Sequence, residues 1–388
     1  MDENNIREIS YRLVEQNALQ RLQTIINLKE SGIDDLTDIS FDFMDSSFNA
    51  YPARIDFGTY SICPLCDYSK TLILNSDCLT NKIIDVKPVA VLDLNIISNI
   101  NKAMRKQEYP NSVDGINLCK LMHYLMIHKF YFVLSPALGE RAVKTGETKD
   151  YIQNDMINNF LKYINLNDKS NLKQNDMLST DEIKYKQKLF DSSIKYRNEC
   201  FMTGLDRHYL SILCLVTKAF IIKFIDKPKN PVQELYNYCL STLVYLDPEI
   251  TSISMWLQND NRANKIFKKL QPSSKDIIEN IKNQSWDIYH LRLAESWFCY
   301  ERGVASPDLI QLPYFVCRDN GLIQYFCLNP IIKFIVANGK IYPIRKYSIK
   351  DFELPYSDDD NIVTKKQKIK SFDLEAEKNR LFDIIKKR

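Results

Sequence analysis

The sequence predicts an α/β fold with a central parallel sheet, interrupted by a mostly helical insertion. Short apolar runs occur at Pro88–Ile97, Phe130–Leu134 and Leu312–Cys317, and such runs are typical of parallel strands that are buried on both faces. Segments with helical apolar spacing stand between them, which is the order of strand–helix–strand units. Glycine is scarce, with nine residues in 388, and this favours long helices.

Composition argues against several classes of function. No GxGxxG or GxxxxGK[ST] motif can be drawn through the nine glycines, so dinucleotide-dependent oxidoreductases and Walker-type ATPases are not expected. The histidines occur without HExxH or GxSxG motifs, so the sequence suggests neither a zinc protease nor a serine hydrolase. The proportions of hydrophobic and charged residues, 45% and 26%, are those of a globular protein.

The charge balance limits how the protein can bind a nucleic acid. With 52 basic and 49 acidic residues, it lacks the bulk charge of a nucleic-acid coat protein. A nucleic-acid partner therefore needs a local patch, such as the lysines in 365–370, although such runs are more often solvated surface. The N-terminus is polar and lacks the order of a signal peptide. The most apolar segment, Leu210–Ile225, carries Lys218 and Lys223, so we expect a cytoplasmic protein without a membrane partner.

The cysteines leave one alternative open. Ten cysteines in a chain expected in the cytoplasm indicate reduced and mostly buried thiols. Cys63 and Cys66 have the CxxC spacing of half a zinc site, and Cys78 is a third candidate. No second CxxC or HxxxH motif completes four ligands. The pair is therefore either part of a structural zinc site or, more commonly, a thiol-rich turn in a core.

The pattern of elements divides the chain into five parts. Residues 1–87 combine a helix with short strands, and the sequence gives them no role. Residues 88–144 and 284–350 carry the alternation of one α/β domain. Residues 145–283 interrupt that domain as a helical insertion, and residues 351–388 form a charged tail that ends in a helix.

Four acidic residues follow this pattern. The first apolar run contains Asp93, and Asp319 comes just after the last one. Glu140 follows the middle run, at the predicted start of a helix. A helix predicted to begin at Ser285 as its N-cap carries Asp287. Because the carboxyl ends of parallel strands share one edge, the four carboxylates are expected to converge. Such a cluster needs a counter-charge, and carboxylates with water are the ligands of Mg²⁺ or Mn²⁺. Two such ions about 4 Å apart would activate water in phosphodiester hydrolysis.

The first two acids lie in motifs that resemble those of PIN-domain ribonucleases. Asp93 followed two positions later by Asn95 is similar to the first motif of that family. A strand followed by Ser135 and Glu140 resembles the second. Asn95 either orients a metal-bound water or caps the next helix, and Ser135 either bonds a ligand carboxylate or caps its own helix.

The other two acids complete the resemblance, which covers residues 88–142 and 284–345. Asp287 at a helix start resembles the third acid, and Asp319 two positions after Cys317 resembles the fourth. The usual threonine after the first aspartate is Leu94 here, and the usual threonine before the last is Cys317. Both departures bear on where a metal or a water would sit.

Two residues of the helical regions compete for roles in this site. Asp206 also opens an apolar helix and is the alternative to Asp287 as third acid, but the 32 positions from Asp287 to Asp319 fit one helix and one strand. His290 lies one turn after Asp287 on the same face. It either assists the acids or, as is commoner for a lone histidine, packs in the core.

The resemblance implies a three-layer α/β/α PIN-like domain with endoribonuclease activity. Asp93, Glu140, Asp287 and Asp319 would be both catalytic and metal-binding, with Asn95, Ser135 and Cys317 in support. RNA is the substrate implied before DNA, in a toxin-like, defence-type or RNA-processing role. The alternative is a catalytically inactive PIN-like scaffold that binds RNA or a partner protein. A protein partner or a homo-oligomer stays open in either case.

Overall fold

The structure is a computed structural model, and it describes these residues: 9, 13, 16–32, 37–40, 54–64, 72–75, 85–106, 111–134, 137–138, 140–141, 156–164, 207–242, 247–300, 309–318, 324–325, 327–337, 340–352 and 373–387. Its strands are, in chain order, β1 (Thr37–Ser40), β2 (Ile55–Phe57), β3 (Tyr60–Pro64), β4 (Leu72–Asn75), β5 (Asp85–Leu92), β6 (Tyr131–Val133), β7 (Leu309–Cys317), β8 (Ile331–Ala337) and β9 (Lys340–Arg345). Its helices are α1 (Ala18–Glu30), α2 (Leu94–Arg105), α3 (Val113–Ile127), α4 (156–164), α5 (Arg207–Ile221), α6 (Pro231–Thr242), α7 (Asp247–Leu257), α8 (Asn261–Ile266), α9 (Ile277–Tyr300) and α10 (Leu374–Lys386).

The larger of the two described sheets contains the three apolar runs found in the sequence. Its strand order is β2-β3-β7-β5-β6. Strands β7, β5 and β6 are parallel, whereas the hairpin β2–β3 pairs antiparallel with β7. Residues 89–92 of β5 are buried, which explains why this strand is apolar on both faces. The prediction of an α/β chain with parallel strands at its centre is confirmed.

Two predicted element boundaries differ from the structure. The apolar run beginning at Pro88 is a strand only as far as Leu92, and helix α2 begins at Leu94. The predicted N-cap at Ser285 is wrong, because α9 begins at Ile277 and Ser285 is buried in its middle. The Ser285 hydroxyl donates instead to the Ile281 carbonyl at 2.8 Å. A serine inside a helix satisfies its hydroxyl in this way and so gives no start signal.

The smaller sheet joins the two ends of the chain. Strand β1 from the N-terminal region pairs with β8 of the β8–β9 hairpin on one side and with β4 on the other, in the antiparallel order β4-β1-β8-β9. The short strands expected in the first 87 residues are present as β1 to β4. Residues 1–8, the lysine run 365–370 and the segment 165–200 lie outside the described residues.

Buried side chains form two main clusters. The first surrounds the larger sheet with α2, α3 and α4, and the second joins helices α5 to α9 with α10. Helix α9 contributes to both, through Leu291 in the first cluster and Ile288 in the second. This helix therefore connects the sheet to the helical part of the chain, and it carries Asp287.

Among the described residues, one helical segment, Arg207–Asp226, is long and apolar enough to cross a membrane by length and composition. Within its most apolar window, 72% is buried inside the protein. This burial is what a core helix shows.

Four of the described cysteines, Cys63, Cys214, Cys239 and Cys317, are buried. Cys63 lies in β3, where burial raises the pKa of its thiol to about 12. Cys66 and Cys78, its candidate partners in a zinc site, lie outside the described residues.

Candidate functional site

Asp93 lies at the carboxyl end of β5, between β7 and the start of α2. Its backbone N–H donates to the Val316 carbonyl of β7 at 2.9 Å. Asp93 stands at the N-cap of α2, but its side chain makes no capping bond to the described first turn. Its Oδ2 instead accepts from Asn95 Nδ2 at 2.9 Å. The carboxylate is thus oriented by a neighbouring amide, and Oδ1 stays directed at the site.

Three buried side chains meet at this edge of the sheet. Nδ1 of His290 lies 3.6 Å from Asp93 Oδ1, and Nε2 lies 3.2 Å from Glu140 Oε2. One ligand atom from each of the three lies within 4.8 Å of the other two. Asp93, Glu140 and His290 are 6%, 7% and 2% exposed. We call these three residues the Asp–Glu–His group.

Of the predicted acids that the structure describes, two belong to the Asp–Glu–His group and one does not. The structure brings Asp93 and Glu140 together, as their positions at the strand ends predicted. Asp287 lies one turn before His290 on α9 and is half-buried, but among the described residues the compact group does not include it.

The remaining predicted residues lie beside this group or outside the described residues. Cys317 is buried at the end of β7, one residue after Val316. Asp319, Ser135 and the alternative Asp206 lie outside the described residues.

His290 is the residue that the sequence did not assign to the site. It was interpreted more readily as a packed core histidine, because periodicity gives no information about which helix face meets which strand. The signal that pointed to it was its spacing of three residues from Asp287, which puts both on one face of α9.

The charges around His290 decide its protonation. Burial alone lowers the pKa of its imidazole, but the carboxylates of Glu140, Asp93 and Asp287 outweigh burial and raise the pKa above its usual value of 6.5. A protonated imidazole between two carboxylates balances part of their charge. The negative charge of the two carboxylates can therefore be balanced in two ways, by an imidazolium or by a bound cation.

The donor set also fits a divalent cation. Within the described part of the chain, His290 Nε2 is buried without a hydrogen bond of good geometry, although Glu140 Oε2 is close. A buried ring nitrogen without a well-formed hydrogen bond, beside two carboxylates, is a donor that can bind a cation. Imidazole with carboxylates suits Mn²⁺ and later transition metals, whereas Mg²⁺ prefers oxygen ligands alone. The residues therefore fit Mn²⁺ better than they fit Mg²⁺.

The raised pKa of His290 predicts how the stability of the metal-free protein depends on pH. Because the folded pKa lies above 6.5, protonation of His290 stabilises the fold, and this contribution is fully present below pH 6.5. It is lost as the pH rises through the folded value. We expect the free energy of unfolding, measured by urea titration in EDTA, to fall over that range. In a His290→Gln variant this component should disappear, and an identical profile in both proteins would contradict the assignment.

Comparisons of the chain with models of protein families, with curated proteins and with solved structures give no match.

Proposed function

We propose that the protein is a metal-dependent nuclease that hydrolyses phosphodiester bonds, with Asp93, Glu140 and His290 holding Mn²⁺ or Mg²⁺. The observation that carries this proposal is the compact Asp–Glu–His group, whose ligand atoms lie within 4.8 Å of one another. It lies at the carboxyl end of parallel strands, where α/β folds place their sites. The resemblance of the motifs to PIN-domain ribonucleases makes RNA the expected substrate and a three-layer PIN-like domain the expected architecture.

The residues of the chain have separable tasks in this proposal. Asn95 holds Oδ2 of Asp93, so that Oδ1 is the atom presented to the ion. Glu140 presents Oε2, and His290 presents a ring nitrogen fixed by burial. When bound, a divalent cation supplies positive charge and Lewis acidity for the attack of water on a phosphodiester.

A second ion would use carboxylates beyond the compact group. Asp287 is near enough to raise the pKa of His290, and it is more exposed than the three buried residues. With Asp319 it supplies the two further acids of a two-metal site, as the motif order implies. In the wider proposal the protein is cytoplasmic, binds RNA through a local patch and does not use a membrane. Its biological role would be defence, toxicity or RNA processing.

One observation favours a second candidate, the catalytically inactive scaffold. His290 already stands between the two carboxylates, at 3.6 and 3.2 Å. A protonated imidazole in that place supplies the positive charge that a cation would otherwise bring. In this alternative the group is structural, and the protein binds RNA or a partner protein without cleaving it.

A cleavage assay with matched nucleic acids separates the two candidates. End-labelled single-stranded RNA and DNA of one sequence are incubated with the protein in Mn²⁺, in Mg²⁺ or in EDTA. The nuclease proposal predicts cleavage of RNA with a cation, faster with Mn²⁺, and none in EDTA. RNA binding without cleavage under all three conditions would support the scaffold and contradict the nuclease.

A further inference from the structure

A chain of charged side chains lies on the face of α9 opposite His290. Arg292 Nε lies 3.6 Å from Glu249 Oε1 of α7, and Arg292 also reaches Glu295 at 3.5 Å. Glu295 Oε2 then pairs with Arg345, the last residue of β9. We call these four residues the polar chain. It links α9 to α7 on one side and to the β8–β9 hairpin on the other.

The two acidic side chains of the polar chain are buried, and its two arginines are half-buried. The side chains of Glu249 and Glu295 are 4% and 6% exposed. Within the described residues, Glu249 Oε2 and Arg345 Nε are buried without a hydrogen bond, and both line a cavity that leaves about 20 Å³ for the centre of a water molecule. Burial raises the pKa of the Glu249 carboxyl. A buried ion pair is a poor source of stability, because the loss of hydration offsets its attraction.

The polar chain and the metal-binding residue His290 lie on the same helix. Arg292 follows His290 by two residues on the same helix, and Leu291 between them packs in the core around the sheet. A helix rotates by about 100° and rises by about 1.5 Å per residue. A small rotation or slide of α9 therefore carries the His290 ring away from Asp93 and Glu140. Metal sites tolerate only about 0.5 Å of such movement.

We propose that the polar chain positions the metal-binding face of α9, with Arg345 as the residue that locks the helix to the hairpin. Arg345 suits this task because its guanidinium has two anchors. It pairs with Glu295, and it donates to the Asn329 carbonyl at 2.7 Å. A planar guanidinium with two fixed partners defines a direction as well as a charge. This inference rests on the proposed metal site, and Arg345 acts through α9 without touching the ion.

The test replaces Arg345 and measures Mn²⁺ affinity by calorimetric titration. Loss of a residue that orients a ligand weakens metal binding by about 10–100-fold, so we expect at least a tenfold loss in Arg345→Met. Arg345→Lys keeps the positive charge but lacks the planar guanidinium, so its Mn²⁺ affinity should lie between those of the wild type and Arg345→Met. The matched control is Arg380→Met, which breaks the Arg380–Glu377 pair of α10 at 2.7 Å. It should leave Mn²⁺ affinity unchanged.

A second readout separates this inference from the proposed function. The ¹⁵N shifts of the His290 imidazole, recorded in EDTA, should move in Arg345→Met and stay in place in Arg380→Met. If the wild type binds no Mn²⁺, the proposed function fails, and these shifts alone decide the positioning role. Equal Mn²⁺ affinity and equal imidazole shifts in wild type and Arg345→Met would overturn the positioning role of Arg345. Should Arg345→Met not fold, Glu295→Gln/Arg345→Met removes both charges together and is measured in the same way.

Discussion

Asp93→Asn is expected to lower cation-dependent RNA cleavage by at least about 100-fold. Losing a partner that merely orients a ligand costs about 10–100-fold in metal affinity or activity, and Asp93 is proposed as a ligand itself. Asparagine has nearly the same shape but lacks the negative charge, so the backbone bond from residue 93 to the Val316 carbonyl should persist. The measurement is the initial rate of RNA cleavage in Mn²⁺, with circular dichroism to confirm the fold.

Asp260→Asn is the matched control for this substitution. Asp260 is also an aspartate at a helix N-cap, but its side chain accepts from the backbone N–H groups of Arg262 and Ala263. Asparagine is an equally good capping residue, so the variant should fold and cleave like the wild type. If Asp93→Asn keeps more than about a tenth of the wild-type rate, the assignment of Asp93 as a ligand is wrong.

His290→Leu is expected to destabilise the metal-free protein by about 3–5 kcal/mol at pH 6. At that pH the raised pKa keeps the wild-type imidazole protonated between Asp93 and Glu140. Leucine removes the positive charge and leaves two buried carboxylates facing each other, and an uncompensated buried charge costs more than the pair was worth. The free energy of unfolding by urea in EDTA gives the value.

A second substitution tests the reason for that loss. Glu140→Gln in the His290→Leu background removes one of the two facing charges, so the double variant should regain at least about 1 kcal/mol over the single one. His128→Leu serves as the surface control, because His128 is exposed at the end of α3. Its effect should stay within about 0.5 kcal/mol. A His290→Leu cost below about 1 kcal/mol would mean that the imidazole does not bridge the carboxylates.

Local sequence patterns predict the parallel strands of the larger sheet. The central residues of these strands, 89–92 of β5, 132–133 of β6 and 312–317 of β7, are apolar, and the structure buries nearly all of them. This apolar pattern is visible without tertiary information. Their order was not predicted, because β7 pairs with β5 and not with β6, the strand that precedes it in the chain. The meeting of Asp93 and Glu140 was predictable nonetheless, since both follow parallel strands that end at one edge.

The role of His290 depends on long-range packing that no local pattern carries. The start of α9 does carry a local signal, because Asp276 precedes Ile277 and Glu279 follows Asp276 three positions later, the spacing of a capping box. That signal was overlooked, and Ser285 was mistaken for the cap. Which face of the helix meets the sheet is decided by contacts with two separate cores. The pairing of β1 with β8 of the distant β8–β9 hairpin is long-range in the same sense.

The most direct test of the Asp–Glu–His group as a cation site is anomalous diffraction from crystals of the protein soaked in Mn²⁺. The proposal predicts an anomalous peak between Asp93, Glu140 and His290, about 2 Å from an oxygen of each carboxylate and from one ring nitrogen. An anomalous map without that peak, in a structure where the imidazole donates a hydrogen bond to each carboxylate, would contradict it.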